Sequence, residues 1–217
     1  WHDGQPVTSD DIVFTVELMR NEAIPIPADL RDFWNQVEVK VLDEKTLQFR
    51  LPEPFSPFLD YLTFGILPVH RLGDIPAEEI INADFNLRPV GSGPFQYETL
   101  LVENDVITGV VLKSFDGYYK DKPFLEQVIF KYYQDSVSAL FALQQGEVMG
   151  ISRLTDDVLE EALKSSTTSV YTGRLPQLNL VFFNLDASDK PFLQDASVRR
   201  ALFLGLNRNW IIDRIMG

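Results

Sequence analysis

From residue 94 onward, stretches with a two-residue apolar rhythm exchange with amphipathic ones, and this exchange does most to narrow the fold. Strands are expected near 94–102, 106–115, 126–133, 169–174 and 178–184. Helices are expected over DSVSALFALQQGE (135–147), over LTDDVLEEALKSS with Thr155 as its cap, and from about Asp195, where Val198, Ala201, Leu202 and Leu206 share a face. Strands interleaved with helices at this spacing point to an α/β or mixed-sheet architecture rather than a helix bundle or an all-β sandwich.

The first part of the chain reads differently. TSDDIVFTVELMR carries Thr8 at an N-cap position, Asp11 three residues on, and Ile12, Val13, Val16 and Met19 on one helical face. Asp10 and Asp11 suit the positive end of a helix dipole. A loop broken by Pro25 and Pro27 follows, and then VEVKVLDEKTLQFRL alternates Val37, Val39, Val41, turns through Asp43-Glu44-Lys45, and alternates again through Leu47, Phe49 and Leu51. That is a hairpin with one buried face. FSPFLDYLTFGILPVH is apolar and aromatic on most sides, which fits a short buried helix and an extended segment. Turn formers and acids fill 72–94, making this the best boundary between two parts of the chain.

Charge and composition remove several functions. There are 32 acidic and 19 basic residues, a net charge of −13, with the acids spread along the chain. Such a field repels phosphate backbones and anionic lipid, so neither nucleic acid nor a membrane surface is expected as partner, while cationic and zwitterionic ligands remain compatible. The absence of cysteine excludes disulfides, thiolate metal sites and a cysteine nucleophile. No apolar run reaches membrane-spanning length, so neither a membrane span nor a signal peptide is expected within these residues. Trp1-His2-Asp3-Gly4 lacks an initiator Met, so the chain is expected to be an excised piece.

RPVGSGPFQY, residues 88–97, invites two chemical readings. A phosphate loop would need a longer glycine frame ending in Lys-Ser or Lys-Thr and opening a helix, whereas a proline and a strand follow here. A nucleophilic Ser92 would need the Gly-x-Ser-x-Gly spacing and a histidine base. Only His2 and His70 exist. A structural turn is the better reading. The acidic pairs Asp10-Asp11, Glu78-Glu79, Asp156-Asp157 and Glu160-Glu161 are read as solvated helix surface, because neighbours on a helix point to different sides. A carboxylate pair of the glycosidase kind stays open, though nothing nominates one. Phe33-Trp34, Tyr118-Tyr119 and Phe182-Phe183 are core aromatics or the walls of a ligand cleft.

Six ordered segments carry a resemblance. WHDGQPVTSDDIVFTVELM, VLDEKTLQFRLPEPFSPFLDYL, RPVGSGPFQY, FDGYYKDKPFLEQVIFKYYQD, ALFALQQGEVMG and LVFFNLDASDKPFLQDASVRRALFLGLNRNWII are similar to successive motifs of the extracytoplasmic solute-binding proteins of family 5, the peptide- and nickel-binding subunits of ABC transporters. Met149 departs from the family's usual Asp, and Phe115-Asp116 from its frequent Arg-Asn.

The resemblance implies an α/β fold, a truncated lobe of the type II periplasmic-binding-protein kind with a small α+β accessory subdomain. Residues 1–87 would form the accessory subdomain, 88–185 part of the lobe-one mixed sheet, and 186–217 the start of lobe two. It further implies a non-enzymatic, extracytoplasmic protein, in the periplasm or on the cell surface as a lipoprotein. Such a protein captures a peptide or similar small solute by lobe closure and hands it to membrane permease subunits, with no cofactor and no metal. A ligand-sensing domain of a transcriptional regulator with the same fold is the alternative, and a hydrolase using a carboxylate pair a further one. In peptide-binding relatives the carboxylate that meets the ligand's amine lies in the later half, so an incomplete site is expected here. Gln177, Asn179 and Asn184 on the strand toward the hinge, with Phe33 and Trp34 as an apolar wall, are the candidate ligand contacts, although Asn184 serves equally well as a tie for its own backbone. Glycines in the Gly91-Ser92-Gly93 turn are expected to supply positive φ or close packing where the chain re-enters the main sheet. Exposed apolar surface makes a homodimer of the isolated chain an expectation.

Overall fold

The structure, a computed structural model, describes residues 1–165, 168–173, 180–186, 188–212 and 214. Internal contacts divide the chain into two compact units, Trp1–Tyr132 and Tyr133–Gly217.

In the first unit, helix α1 (Ser9–Arg20) starts where Thr8 and Asp11 predict, with the Thr8 N–H donated to Asp11 Oδ2 at 2.8 Å. A second helix, α2 (Ala28–Gln36), follows directly on Pro27, where only a loop is expected, with Leu30, Phe33 and Trp34 at helical spacing. Proline is well tolerated at a helix start because no intrahelical partner is lost there. Strands β1 (Glu38–Asp43) and β2 (Thr46–Arg50) form the expected hairpin, antiparallel, with Val39 opposite Phe49 and Val41 opposite Leu47. One face of this hairpin, α1 and α2 enclose a core centred on Val16, Trp34 and Val37, against which Ile12, Met19, Phe49 and Phe58 pack.

The aromatic stretch after the hairpin holds two single-turn helices, α3 (Phe58–Tyr61) and α4 (Val69–Leu72), and α5 (Ala77–Ile80) comes next. Beyond the glycine-rich turn, β3 (Phe95–Glu103), β4 (Val106–Ser114) and β5 (Gln127–Lys131) make an antiparallel three-stranded sheet in sequence order. The β3–β4 connection is Asn104-Asp105, both at positive φ (50° and 62°), the backbone that a tight two-residue hairpin with right-handed strand twist requires. Gly109 is needed where β5 approaches β4, since a Cβ there would run into the Phe130 carbonyl oxygen.

The second unit opens with α6 (Ser136–Gln144), capped by Asp135, whose Oδ1 accepts the Ser138 N–H at 2.7 Å. Gly146, at φ 74°, ends it, with the Gly146 and Glu147 N–H groups returning to Leu143 and Ala142 carbonyls. Helix α7 (Asp156–Lys164) packs on α6 through Leu140, Val158 and Ala162. Helix α8 (Ala196–Gly205) begins at Asp195 as expected, and a final turn, α9 (Arg208–Ile211), follows. Arg199 donates to the Leu193 and Gln194 carbonyls at 2.8 and 2.9 Å, fixing the short 3₁₀ turn (Pro191–Gln194) to the start of α8.

Two expectations differ from the structure. Residues 168–173 and 180–184 carry no strand, and the rest of the proposed strand at 178–184 lies outside the described residues. A strand is defined by its ladder, and among the described residues only the β1–β2 and β3–β4–β5 ladders exist. The α8 face marked by Ala201, Leu202 and Leu206 is exposed, although its apolar spacing is that of a buried stripe.

Candidate functional site

Asp11, read from sequence as a solvated surface acid, is 1% exposed. Its Oδ2 accepts Trp1 Nε1–H at 3.1 Å as well as the Thr8 N–H, and its Oδ1 accepts the Val69 N–H at 2.9 Å. Thr15, one turn on, donates its hydroxyl to the Asp11 carbonyl at 2.7 Å and accepts the Leu67 N–H at 2.9 Å. A buried carboxylate is tolerable when donors surround it, and three do so here. The capping spacing was visible in sequence. That the same side chain would also fasten Trp1 and the segment before α4 was not.

Next to this cluster, His2 reaches the glycine-rich turn. The Gly91 N–H is donated to His2 Nδ1 at 3.2 Å, His2 Nε2 lies 2.9 Å from Gly93 O, and the His2 N–H is donated to Gly91 O at 2.8 Å. An acceptor at Nδ1 and a carbonyl at Nε2 select the neutral ring with its proton on Nε2. The ring edge rests against Phe115 with centroids 4.8 Å apart. Neither Gly91 nor Gly93 takes positive φ, contrary to one of the two reasons expected for glycine there. Close packing, the other reason, holds at Gly91, where a Cβ would sit 3.2 Å from His2 Cε1, and fails at Gly93, which faces open space. Ser92 is thus in a turn held by His2 backbone and ring contacts, with no catalytic arrangement about it.

Asp3 and His70 form a further tie, Oδ2 to Nε2 at 2.8 Å. Partial burial pushes the Asp3 carboxyl up, but the His70 and Gln5 N–H contacts outweigh it and hold the group below the ordinary carboxylate value. Asp43 and Asp135 are also lowered, chiefly by the backbone N–H groups of Lys45 and Ser138, and Asp116 by its Lys122 ion pair at 2.6 Å. These are turn, cap and loop contacts. Among the described residues no three His, Cys, Asp or Glu side chains converge as a metal site.

The sequence-predicted ligand contacts belong to different units. Phe33 and Trp34 sit on α2 in the first unit. Phe33 stacks with Tyr61 and Phe55 at centroid distances of 4.3 and 5.3 Å, and Trp34 meets Phe64 edge to face at 5.3 Å. Trp34 is fully buried, yet it forms one wall of a shallow pocket of about 360 Å³ with Met19, Leu30, Tyr61 and Phe64. Asn184 belongs to the second unit and is exposed, its Oδ1 accepting the Asp186 N–H at 3.0 Å. Gln177 and Asn179 lie outside the described residues.

Comparison with known proteins adds what the local geometry does not contain. The model of the bacterial extracellular solute-binding proteins, family 5 Middle, matches residues 1–217. A Brucella ovis protein named as an ABC transporter peptide-binding protein is 32% identical over 219 residues, covering all of this chain and 40% of that protein. Among solved structures, the ABC transporter substrate-binding protein CtaP of Listeria monocytogenes is 29% identical with a TM-score of 0.71, covering 98% of this chain and 42% of CtaP. NikZ of Campylobacter jejuni, solved with Ni(L-His), has a TM-score of 0.72 at 24% identity, covering 100% of this chain and 41% of NikZ, and shares the fold. The chain therefore spans about 40% of the length of the curated relatives it matches, and its architecture is that of a truncated type II periplasmic binding protein. By this match over its whole length, the chain belongs to the bacterial extracellular solute-binding proteins of family 5.

Proposed function

We propose that the chain is the early-middle part of an ABC-transporter solute-binding protein that takes up a peptide or similar small solute by lobe closure and delivers it to a membrane permease. The observation that carries this reading is the family match over residues 1–217 together with full coverage of this chain by a peptide-binding relative. In this reading the ligand shifts an open–closed equilibrium through its higher affinity for the closed state, and no bond is made or broken in it. The family description supports an extracytoplasmic place, and within that the periplasm or a surface lipoprotein is our own reading.

Residues 1–87 would form the accessory subdomain, 88–185 part of the first lobe and 186–217 the start of the second. Phe33, Trp34, Gln177, Asn179 and Asn184 remain the proposed contacts of this chain with solute, and the remaining ligand groups, including the anchoring carboxylate, would come from elsewhere in the longer protein. Two measurements test the proposal. Small-angle scattering of the full-length gene product should show contraction on binding a di- or tripeptide, and no contraction and no binding across a peptide library would overturn it. Titration calorimetry of the isolated chain should show no micromolar peptide binding, and such binding would contradict the incomplete site.

The isolated chain also exposes apolar side chains on α6 and α8, among them Phe141 (59% exposed), Leu202 and Phe203. Self-association through such surface is expected of it, and light scattering that gives a monomer at high concentration would refute this.

A further inference from the structure

The pocket between α1, α2 and the α3 region has a chemistry that the solute-binding proposal does not use. It has a volume of about 360 Å³ and opens broadly to solvent. Leu30, Trp34, Tyr61 and Phe64 contribute apolar and aromatic wall, and the only charged side chains lining it are Asp29 and Asp60. Both carboxylates are exposed, and neither has an ion-pair or side-chain hydrogen-bond partner among the described residues.

The arginines of these helices form no ion pair with them among the described residues. Arg20 donates to the Trp34 and Val37 carbonyls, and Arg31 to the Asn21 and Ile24 carbonyls. Both guanidinium groups are thus committed to closing the ends of α1 and α2 and the loop between them. What remains at the pocket is negative charge beside aromatic rings, the pairing that attracts an organic cation through Coulomb and cation–π forces together. A chain with a net charge of −13 adds long-range attraction of the same sign.

We propose that this pocket binds a small organic cation, a primary ammonium group on an aromatic or branched apolar stem, with the ammonium between Asp29 and Asp60 and the stem against Tyr61 and Phe64. Trp34 is shared with the proposed solute contacts, but the test reads Asp29 and Asp60, which are not among them, so either proposal can fail without the other.

The probe is 2-phenylethylammonium, followed by NMR chemical-shift perturbation on the full chain, with 2-phenylethanol as the neutral compound of the same shape and phenylacetate as the anion. Saturable shifts at Leu30, Tyr61 and Phe64 are expected at millimolar concentrations. The alcohol should bind about fivefold more weakly, and D29N/D60N should weaken the ammonium by about tenfold while leaving the alcohol unchanged. Both substitutions are at exposed positions, so unchanged amide dispersion will confirm that the variant is folded. Absence of shifts at the pocket, shifts centred elsewhere, equal binding of alcohol and ammonium, or an unaltered D29N/D60N affinity would each overturn the proposal.

Discussion

Asp11 and Val69 are 58 residues apart in sequence, and the carboxylate of one accepts the backbone N–H of the other at 2.9 Å inside the first unit. The same carboxylate caps its own helix through Thr8 and receives the Trp1 indole N–H. Removing it leaves three donors without an acceptor where water has little access, so D11A should cost about 3 kcal/mol or more. D11N keeps the shape but turns an N–H group toward a donor, and it should also destabilise, by less. Urea denaturation followed by Trp fluorescence gives both values, and a D11A variant within 1 kcal/mol of wild type, a threshold of about one ordinary hydrogen bond, would contradict the role assigned to this side chain.

Gly91 and Gly93 look equivalent in sequence and are not. At Gly91 a Cβ meets the His2 ring at 3.2 Å, and that ring is held at both nitrogens, so it cannot swing aside. G91A should lose about 1 kcal/mol. G93A has open space and an ordinary φ, so its stability should stay within about 0.5 kcal/mol of wild type or rise slightly. H2A, which removes the ring itself, should shrink the difference between the two alanine variants. Equal losses for G91A and G93A would count against the packing account.

Trp34 is fully buried, and its indole Nε1–H has no acceptor among the described residues. W34A removes a large part of the core and should cost about 4 kcal/mol. W34F removes the unsatisfied donor along with some volume, so its cost should be well under half that of W34A. Thermal unfolding of the two variants decides this, and similar losses would mean that the N–H is satisfied in solution.

Acid sensitivity should have a local source at Asp3. Its folded-state pKa is lowered below the ordinary 3.8, so the carboxylate's stabilising contacts are present above the unfolded value and are lost as pH falls through the folded one. The window therefore lies below about pH 4, where the unfolded chain takes up the proton first. D3N should flatten the acid limb of a stability-against-pH curve in that window. The same acid limb in D3N and wild type would show that the His70 contact does not contribute.

Most of what could be read in the sequence was local. Thr8 with Asp11, Thr155 and Asp195 mark helix starts by groups that act within a few residues, and the structure has those starts. The Val39–Phe49 and Val41–Leu47 pairs follow from the alternation together with the turn at 43–45. Helix α2 was missed although Leu30, Phe33, Trp34 and Val37 stand at i, i+3, i+4 and i+7, because Pro25 and Pro27 just before it read as a loop. The segments at 168–173 and 180–184 have strand-like composition without a strand partner, and composition says nothing about partners. At the candidate site the limits were of the same kind. Trp34 was chosen for its aromatic character and does line a pocket, but the two acids beside it, Asp29 and Asp60, come from turns 31 residues apart that no spacing rule joins.

The clasp between His2 and the Gly91 turn closes a loop of nearly the whole distance from the chain's first residues to β3. Such a closure is entropically slow and comes late, after hairpins and helices with short loops have formed. Refolding of the first unit should accordingly show early secondary structure by circular dichroism and a separate, slower recovery of the Trp1 environment, the last stitch in a seam that had to wait for both edges of the cloth.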